Sequence, residues 1–583
     1  MSRRVVLAVS TTEQAAVALA FTRATDEAAW AATARGTVSL LRQLIRPDRS
    51  PRNVTERRHL RFCIAVSAAL FLASSIFSVG PHNPDEYFQT VEFASSKLSI
   101  TRTTDLPWEY REQMRPWLQP AIYTGIAQAA EYVGVKRPLA LLLLFRLTTA
   151  FLACASLWAL VVAGRHWIAG EIDRRRLYSI AAFLWLLPFL GARTSSESLA
   201  TSALCFGIAL LEWRATLPDR GVRLGLAVLA GLALGLCFEF RCTSGIMALG
   251  AVAWYLRPAG GRLALCGALA LGAFAALALG ALADWWGYGH IAFPAFSYIY
   301  QNFVVGRASR DFGAAPFFAY LYLPLLEAGV TAPLVFTLIV CTLTAWLARP
   351  LNVLTWATLP YVVLLCATAH KETRFLFPLI PFLPFFVIFA LNGAAATGAR
   401  LNSFVRWLIT AWRLKVAYAL NFCGLVGVVL MAQAANFPLY ELMENFSYRA
   451  RVPVDAVVVH ALGKMPYGTG EGHMAFIEPK NVRWTANPSL DQLQARESRG
   501  EAFLAFLSVP LPRAESAAWI GSRCSFVWST WPQWLQPYDY LGWEERSAWW
   551  MLYRCDSRDG SIAANPGLHD ARQGSIEPAA RSE

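Results

Sequence analysis

Four stretches of this chain, Leu139 to Val162, Leu263 to Ala283, Val330 to Leu347 and Val416 to Ala432, carry almost no charge over close to the ~20 residues that a bilayer-crossing helix requires. A helix that is apolar on every side has no face to turn toward water. In lipid it satisfies all of its own backbone groups, so it is one of the few structures that can span a membrane. Composition agrees, since 56% of the 583 residues are hydrophobic and 16% charged. Soluble domains run at roughly 45 to 50% apolar and about 25% charged. The chain therefore reads as an all-α polytopic membrane protein.

The formal net charge of +13 would suit nucleic acid if the basic residues formed one patch interleaved with stacking aromatics. They sit instead at the ends of apolar spans, which is the pattern of membrane orientation and excludes a nucleic-acid partner. The arginine-rich connections hold Arg165 with Arg174 to Arg176, Arg214 with Arg220 and Arg223, Arg257 with Arg262, Arg349, and Arg400 to Lys415. These are expected on the cytoplasmic side. About eleven spans result, the first at Phe62 to Val79. Loops 81–138 and 284–329, the turns Arg193 to Glu197, Glu239 to Ser244 and His370 to Arg374, and everything after Asn436 fall on the exported side.

Four regions follow. Residues 1–60 form a cytoplasmic leader, partly disordered, too long before its first apolar span to be a cleaved signal peptide. Residues 61–435 form the transmembrane domain. Its weakest spans are Ile246 to Leu256 and Phe375 to Leu391, where Pro378, Pro381 and Pro384 would break or kink a helix. Residues 436–555 have mixed polarity and a strand-like run, Val452 to Val459, and read as a small exported C-terminal α/β domain. Residues 556–583 lack apolar periodicity and read as a disordered tail. Nine of the eleven cysteines lie in or beside apolar spans, which leaves Cys524 and Cys555 of the exported tail as a candidate disulfide.

The residues that look chemical gather on the exported side. His82, Asn83, Pro84, Asp85, Glu86 and Tyr87 follow the first span, with Gln89 and Glu92 at helical spacing. Two readings fit the adjacent carboxylates: acidic residues opening a helix, or a general base that takes a proton from an attacking hydroxyl. The loop continues through Trp108, Glu109, Tyr110 and Arg111 to Arg115, Pro116 and Trp117. That mixture suits either interfacial anchoring or contact with a sugar. Arg193, Arg241, His370, Lys371, Glu372 and Arg374 lie in three further turns. Their cations suit either snorkelling at helix ends or the holding of a phosphate leaving group. No spaced metal-ligand set appears, and Asp85 and Glu86, adjacent on a helix, diverge by about 100°. No metal or other cofactor is expected.

The run His82-Asn83-Pro84-Asp85-Glu86-Tyr87-Phe88-Gln89 resembles the His-Pro-Asp-Glu-Tyr-Trp-Gln signature of glycosyltransferase family 22, with Asn83 inserted. Trp108-Glu109-Tyr110-Arg111 is similar to the Trp-Glu stretch that follows it there. His370-Lys371-Glu372-Thr373-Arg374-Phe375 resembles that family's His-Lys-Glu-x-Arg-Phe signature, and Arg193 to Glu197 falls at its Arg-Thr turn. Its Arg-Pro-Thr turn reads Arg241-Cys242-Thr243 here. The resemblance covers roughly residues 60 to 395.

It implies a GT-C type fold that moves mannose, or a related sugar, from a polyprenyl or dolichyl phosphate carrier to a glycan or glycolipid hydroxyl, with inversion. By that resemblance Asp85 is the base and Glu86 its neighbour. His370, Lys371 and Arg374 hold phosphate, and His82, Tyr87, Gln89, Trp108, Glu109, Arg193, Arg241 and Glu372 contact substrate. The site would face the lumen of the endoplasmic reticulum in a eukaryote and the periplasm across the inner membrane in a bacterium. A flippase would place its charges at the midplane between symmetric halves, and neither feature is present. In a non-catalytic assembly scaffold, Asp85 would be dispensable.

Overall fold

A computed structural model describes residues 52–77, 83–257, 262–393, 403, 407, 411–427, 457–462, 476, 482–508, 514–529 and 550–555. The leader up to residue 51, His82, and the tail from 556 lie outside them. The chain divides into a short unit, Met1–Phe62, and a large one, Cys63–Glu583, to which everything described after the first helix belongs.

The described chain is mostly helical. Six helical segments are long and apolar enough to cross a membrane: Val54–Phe77, Pro138–Trp167, Arg220–Phe240, Leu263–Tyr288, Gly329–Ala348 and Thr373–Gly393. Two shorter apolar segments, Cys242–Tyr255 and Val353–Ala367, accompany them. Two further regions of the sequence fall short for visible reasons. Ser196–Thr216 carries Glu197, Glu212 and Arg214. The segment that opens with Glu171–Phe183 breaks before Leu186–Gly191, and Asn421 repairs the break. Its Oδ1 accepts the Trp185 amide at 3.1 Å, and its Nδ2 donates to the Phe183 carbonyl at 2.7 Å. An unpaired backbone group at that depth would cost several kcal/mol, on the order of a full transfer penalty.

The proline-interrupted span behaves as its sequence demands. Thr373–Phe382 is a 3-10 helix containing Pro378 and Pro381, and only at Leu383 does an α-helix begin, running to Gly393. The Phe375 carbonyl is met by the Tyr361 hydroxyl at 2.7 Å. At the centre, Arg220–Phe240 packs closely on Arg262–Tyr288. A Cβ at Gly272 would lie 1.9 Å from the Val228 carbonyl oxygen, so only glycine allows the approach.

In the tail, strands β1 (Val457–Leu462), β2 (Val482–Ala486), β3 (Phe503–Ser508), β4 (Ser525–Ser529) and β5 (Trp550–Cys555) form one sheet in the order β2-β1-β3-β5-β4. β1 is parallel to β2 and β3, and β5 is antiparallel to β3 and β4. Helix Leu490–Ser498, started by a Ser489–Gln492 capping box, and helix Ala514–Arg523 bury Leu493 and Ile520 with Phe503, Leu507 and Met551. Cys524 and Cys555 are joined in a disulfide.

Candidate active site

Residues Pro84–Lys97 form one helical run with a π-helical turn over Tyr87–Val91. Its start separates the two readings of the carboxylates. Asn83 Oδ1 accepts the Asp85 amide at 2.9 Å, and Glu86 Oε1 accepts the Asn83 amide at 3.1 Å. The cap is therefore Asn83, completed by Glu86 in the manner of a capping box. The Asp85 carboxylate takes no part in it. The inserted asparagine supplies the cap, which leaves the Asp85 carboxylate available for something else.

That carboxylate meets Arg374, whose Nη2 lies 2.5 Å from Asp85 Oδ2. The same guanidinium donates from Nη1 to Asn83 Oδ1 at 2.8 Å and from Nη2 to Glu372 Oε1 at 3.0 Å, and its Nε stands 2.6 Å from Glu372 Oε2. The two signature motifs, distant in sequence, thus converge on one cation. His370 adds a further link: Nε2 is 2.9 Å from Glu372 Oε1, and Nδ1 is 3.1 Å from the Gly313 carbonyl. Both partners are acceptors, so the ring is held as imidazolium. The Glu372 contact raises the His370 pKa although burial opposes it. Burial pushes the Glu372 carboxyl up, but His370 and Arg374 outweigh it and bring it down to about 2.

Asp85 and Glu86 open onto a cavity of about 590 Å³. Its polar wall includes Gln89, Arg115, Gln119, Glu197 and Arg241; its apolar wall includes Phe274, Leu277, Phe293 and Phe296. Those apolar side chains are exposed, Phe296 at 79% and Phe274 at 70%, so the cavity continues into the lipid-facing surface. Arg241 pairs with Glu197 at 3.0 Å and donates to Ser196 Oγ at 3.1 Å. Arg115 is less engaged. Its nearest carboxylate contact is a 3.7 Å approach to Glu109, and its guanidinium lies 5.5 Å from the Tyr298 ring centre. The Nε atoms of both arginines are buried without a hydrogen-bond partner among the described residues.

Arg115 is held in place by its backbone. The Tyr288 hydroxyl donates to the Arg115 carbonyl at 2.7 Å, and Asp284 Oδ1 accepts the Trp117 amide at 2.7 Å. The Trp117 ring is fully buried, stacked on Phe93 at 5.2 Å, and fills the space at Gly287, where a Cβ would come within 2.0 Å of it. Burying a side chain of Phe93's size contributes roughly 1.5 to 3 kcal/mol. Trp117 therefore pins this loop to the Arg262–Tyr288 helix, a packing role distinct from both the interfacial anchoring and the sugar contact its sequence context allowed.

The other expected site residues divide. Gln89 lines the cavity and donates to Glu109 Oε1 at 3.0 Å. Glu109 is buried behind it, its carboxyl raised by burial although Arg115 pulls it down. Tyr87 is buried in a cluster with Tyr123 and Phe145, and Trp108 lies beneath Arg307 at 4.0 Å, both off the cavity wall. Arg193 is buried against the Phe189 ring at 4.5 Å, and the next carbonyl, of Thr194, accepts from Gln119 at 2.7 Å. Lys371 is buried and donates to the carbonyls of Ala315 and Thr368. His370, Lys371, Glu372 and Arg374 thus stand behind Asp85 rather than on the wall, while Arg115, absent from the sequence-derived site, stands on it. Among the described residues no cluster of His, Cys, Asp and Glu could hold a metal ion.

Residues 61–466 match the sequence profile of the Alg9-like mannosyltransferase family. GPI mannosyltransferase 3 of Yarrowia lipolytica is 26% identical over 374 residues, covering 61% of this chain and 66% of that protein. GPI mannosyltransferase 3 of Gibberella zeae is 25% identical over 348 residues, covering 51% and 54%. The chain thus spans just under two thirds of the length of the first of these relatives and about half of the second. Among solved structures, ArnT from Cupriavidus metallidurans bound to undecaprenyl phosphate aligns at 13% identity and a TM-score of 0.44, over 85% of this chain and 97% of that one. The Archaeoglobus fulgidus oligosaccharyltransferase in the apo form aligns at 11% and 0.38, over 75% and 65%.

Proposed function

The chain belongs to the Alg9-like mannosyltransferase family, and from that premise we propose that it transfers mannose from a polyprenyl-phosphate carrier to a hydroxyl of a glycan or glycolipid, with Asp85 as base. The observation that carries this reading is one cavity that holds a carboxylate, two arginines with unmet buried N–H groups, and an apolar wall continuous with the lipid-facing surface. A lipid-phosphate sugar needs all three at once.

In the proposed reaction the acceptor oxygen attacks C1 of the mannosyl group from the side opposite the phosphate. The C1–O bond to phosphate breaks with inversion, the hydroxyl proton passes to Asp85, and the carrier leaves as polyprenyl phosphate. Arg115 and Arg241 are assigned to the phosphate, because a charge-assisted contact strengthens as the leaving group gains charge. Arg374 pairs with Asp85 and aims it, Glu372 and His370 hold Arg374, and Lys371 holds the loop behind them. Glu86 serves the helix start and Gln89 with Glu109 backs the sugar side.

The same reading has eleven crossings. They are the six long segments, the two shorter ones, the broken segment from Glu171 to Gly191, Ser196–Thr216 and the region of Ala411–Val426. The cavity and the tail sheet lie on the exported side, lumenal or periplasmic. The Cys524–Cys555 disulfide supports this, since such bonds persist in oxidising compartments.

The test is incubation of the purified protein in lipid nanodiscs with labelled polyprenyl-phosphate mannose and a panel of glycan and glycolipid acceptors. Transfer of label with release of polyprenyl phosphate is expected from the natural chain and not from Asp85→Asn. Movement of intact carrier across the bilayer without transfer would replace this reading with that of a flippase.

A further inference from the structure

The helical run that begins with Asp85 is packed on two sides. Asp85, Glu86, Gln89 and Thr90 line the cavity. Tyr87, Val91 and Ala94 are instead buried in a cluster with Tyr123, Phe145 and Phe476. Phe476 comes from the tail, in the connection between β1 and β2. It is 3% exposed, and its ring centre lies 6.3 Å from that of Phe145, which in turn stacks on Tyr123 at 4.5 Å.

Phe476 is held by its backbone as well as its ring. Its amide donates at 3.2 Å to Oε1 of Glu92, which stands on the same run about two turns beyond Asp85. Glu92 is 1% exposed, and its Oε2 accepts from the Thr101 hydroxyl, which also shares a hydrogen bond with Ser95 Oγ at 2.6 Å. One carboxylate thus gathers the end of the run, the turn after it and the tail. Burial makes each of these donors matter, because a carboxylate out of water needs its lone pairs met. The π-helical turn Tyr87–Val91 lies between Asp85 and Glu92. Short helical pieces of this kind take their stability from packing more than from propensity.

We infer that Phe476 is a positioning residue for Asp85, and that docking of the tail on the back of this helix is part of what aims the carboxylate into the cavity. This rests on the proposed reading with Asp85 as base. Arg374 and the Asn83 cap hold the start of the run; Phe476 and Glu92 hold its far end and its back. With the ring withdrawn, the space behind Tyr87 and Val91 opens, Glu92 loses a donor, and the run is free to move away from the cavity. A misplacement of about 1 Å costs on the order of 10²-fold in rate. Arg115 and Arg241, assigned to the phosphate, stand outside this cluster. The loss therefore belongs in kcat and not in the binding of either substrate.

The test uses the full chain in nanodiscs and reads steady-state kinetics, with donor and acceptor varied independently, beside hydrogen exchange of the amides in Pro84–Lys97. Phe476→Ala should lower kcat about tenfold or more, with each KM within about threefold of the natural value. Exchange in Pro84–Lys97 should quicken at least about tenfold while exchange in Arg220–Phe240 stays as it was. Phe476→Leu, which refills most of the space, should bring kcat back to within about threefold. Glu92→Gln keeps the volume but not the charged acceptor, and combined with Phe476→Ala it should cost less than the product of the two single losses, since both act on one contact. Unchanged exchange in Pro84–Lys97 would overturn the inference whether or not transfer is seen, because that measurement needs no turnover. A Phe476→Ala protein that only melts earlier, with natural kcat per folded molecule, would overturn it too, as would a raised KM at natural kcat. Failure of the natural chain to transfer mannose would instead strike the transferase reading.

Discussion

Asp85 Oδ2 and Arg374 Nη2 lie 2.5 Å apart, and this pair joins the loop after the first long apolar helix to the start of the proline-interrupted span. With Asn83 and Glu86 forming the helix cap, Asp85 is spared a structural duty at its own helix, and its carboxylate faces both the cation and the cavity.

Asp85→Asn should therefore remove transfer without unfolding the protein. A positioned base supplies roughly 10² to 10⁴ of the rate, so mannose transfer should fall by at least about that much. Arg374 keeps its contacts with Glu372, so the loss of Asp85's charge does not leave a bare buried cation. Melting in detergent and membrane insertion should match the natural chain. Glu86→Gln, which weakens the cap, should cost about 1 kcal/mol of stability and little of the rate. Near-normal transfer by the Asp85→Asn protein would move the base to Glu86 or Glu372.

Lys371→Ala should act on stability rather than selectively on donor use. The ammonium is buried and spent on the carbonyls of Ala315 and Thr368. Hydrogen bonds from a charged group contribute about 1.5 to 3 kcal/mol. A lowered melting temperature with a fall in apparent kcat and an unchanged donor KM is expected. A raised donor KM at unchanged stability would return Lys371 to the phosphate.

The His370–Glu372 pair should make the loop behind Asp85 sensitive to pH in a defined direction. The folded pKa of His370 is raised, so its contribution is full below the ordinary histidine value near 6.5 and is lost as pH rises through the folded value. The Glu372 pKa is lowered to about 2, so its contribution is full above about 4.5 and is lost as pH falls toward 2. Both operate together between roughly pH 4.5 and 6.5. The difference in melting temperature between the natural chain and His370→Gln should be greatest there and shrink on the alkaline side. A difference that grows with rising pH would contradict the assigned imidazolium.

The tail disulfide and the membrane orientation can be read in one labelling experiment. Cys524 and Cys555 are 31 residues apart, and closing a loop of that length restricts the unfolded chain by on the order of 3 to 4 kcal/mol. Neither thiol should alkylate in the denatured, unreduced protein, and reduction should lower the melting temperature of the sheet. A reporter fused after Pro510 should be exported and one inserted among Arg174, Arg175 and Arg176 should not. Both on the same side would defeat the one-sided site.

Much of this architecture is legible in the sequence because lipid imposes one simple demand on a helix. The long spans, the proline break before Leu383 and the pairing of Cys524 with Cys555 all follow from local composition. Asp85 and Arg241, singled out from local sequence, both line the cavity. Contacts with partners distant in sequence were illegible. Nothing near Lys371 says that Ala315 will present a carbonyl to it. Nothing near Arg115 says that Tyr288 and Asp284 will hold its backbone against the cavity.

The last prediction separates the two arginine sites by what each already holds. Arg374 is ringed by Asp85, Glu372 and Asn83, so its guanidinium has little left to offer a phosphate. Arg115 lines the cavity with a buried Nε that has no partner and a 3.7 Å approach to Glu109. Arg115→Lys keeps the charge but removes the planar fork that grips two phosphate oxygens. It should raise donor KM roughly tenfold or more, the equivalent of about 1.5 kcal/mol, while acceptor KM and the pH profile of kcat stay where they were. Arg374→Lys should do the converse: donor KM should hold within about threefold, a change of less than 1 kcal/mol, while kcat falls because Asp85 loses the group that aims it. Steady-state kinetics on both variants, with donor and acceptor varied independently, reads the two effects apart. If Arg115→Lys leaves donor KM unchanged and Arg374→Lys raises it, the phosphate belongs to Arg374 and the ion pair with Asp85 must open whenever donor binds.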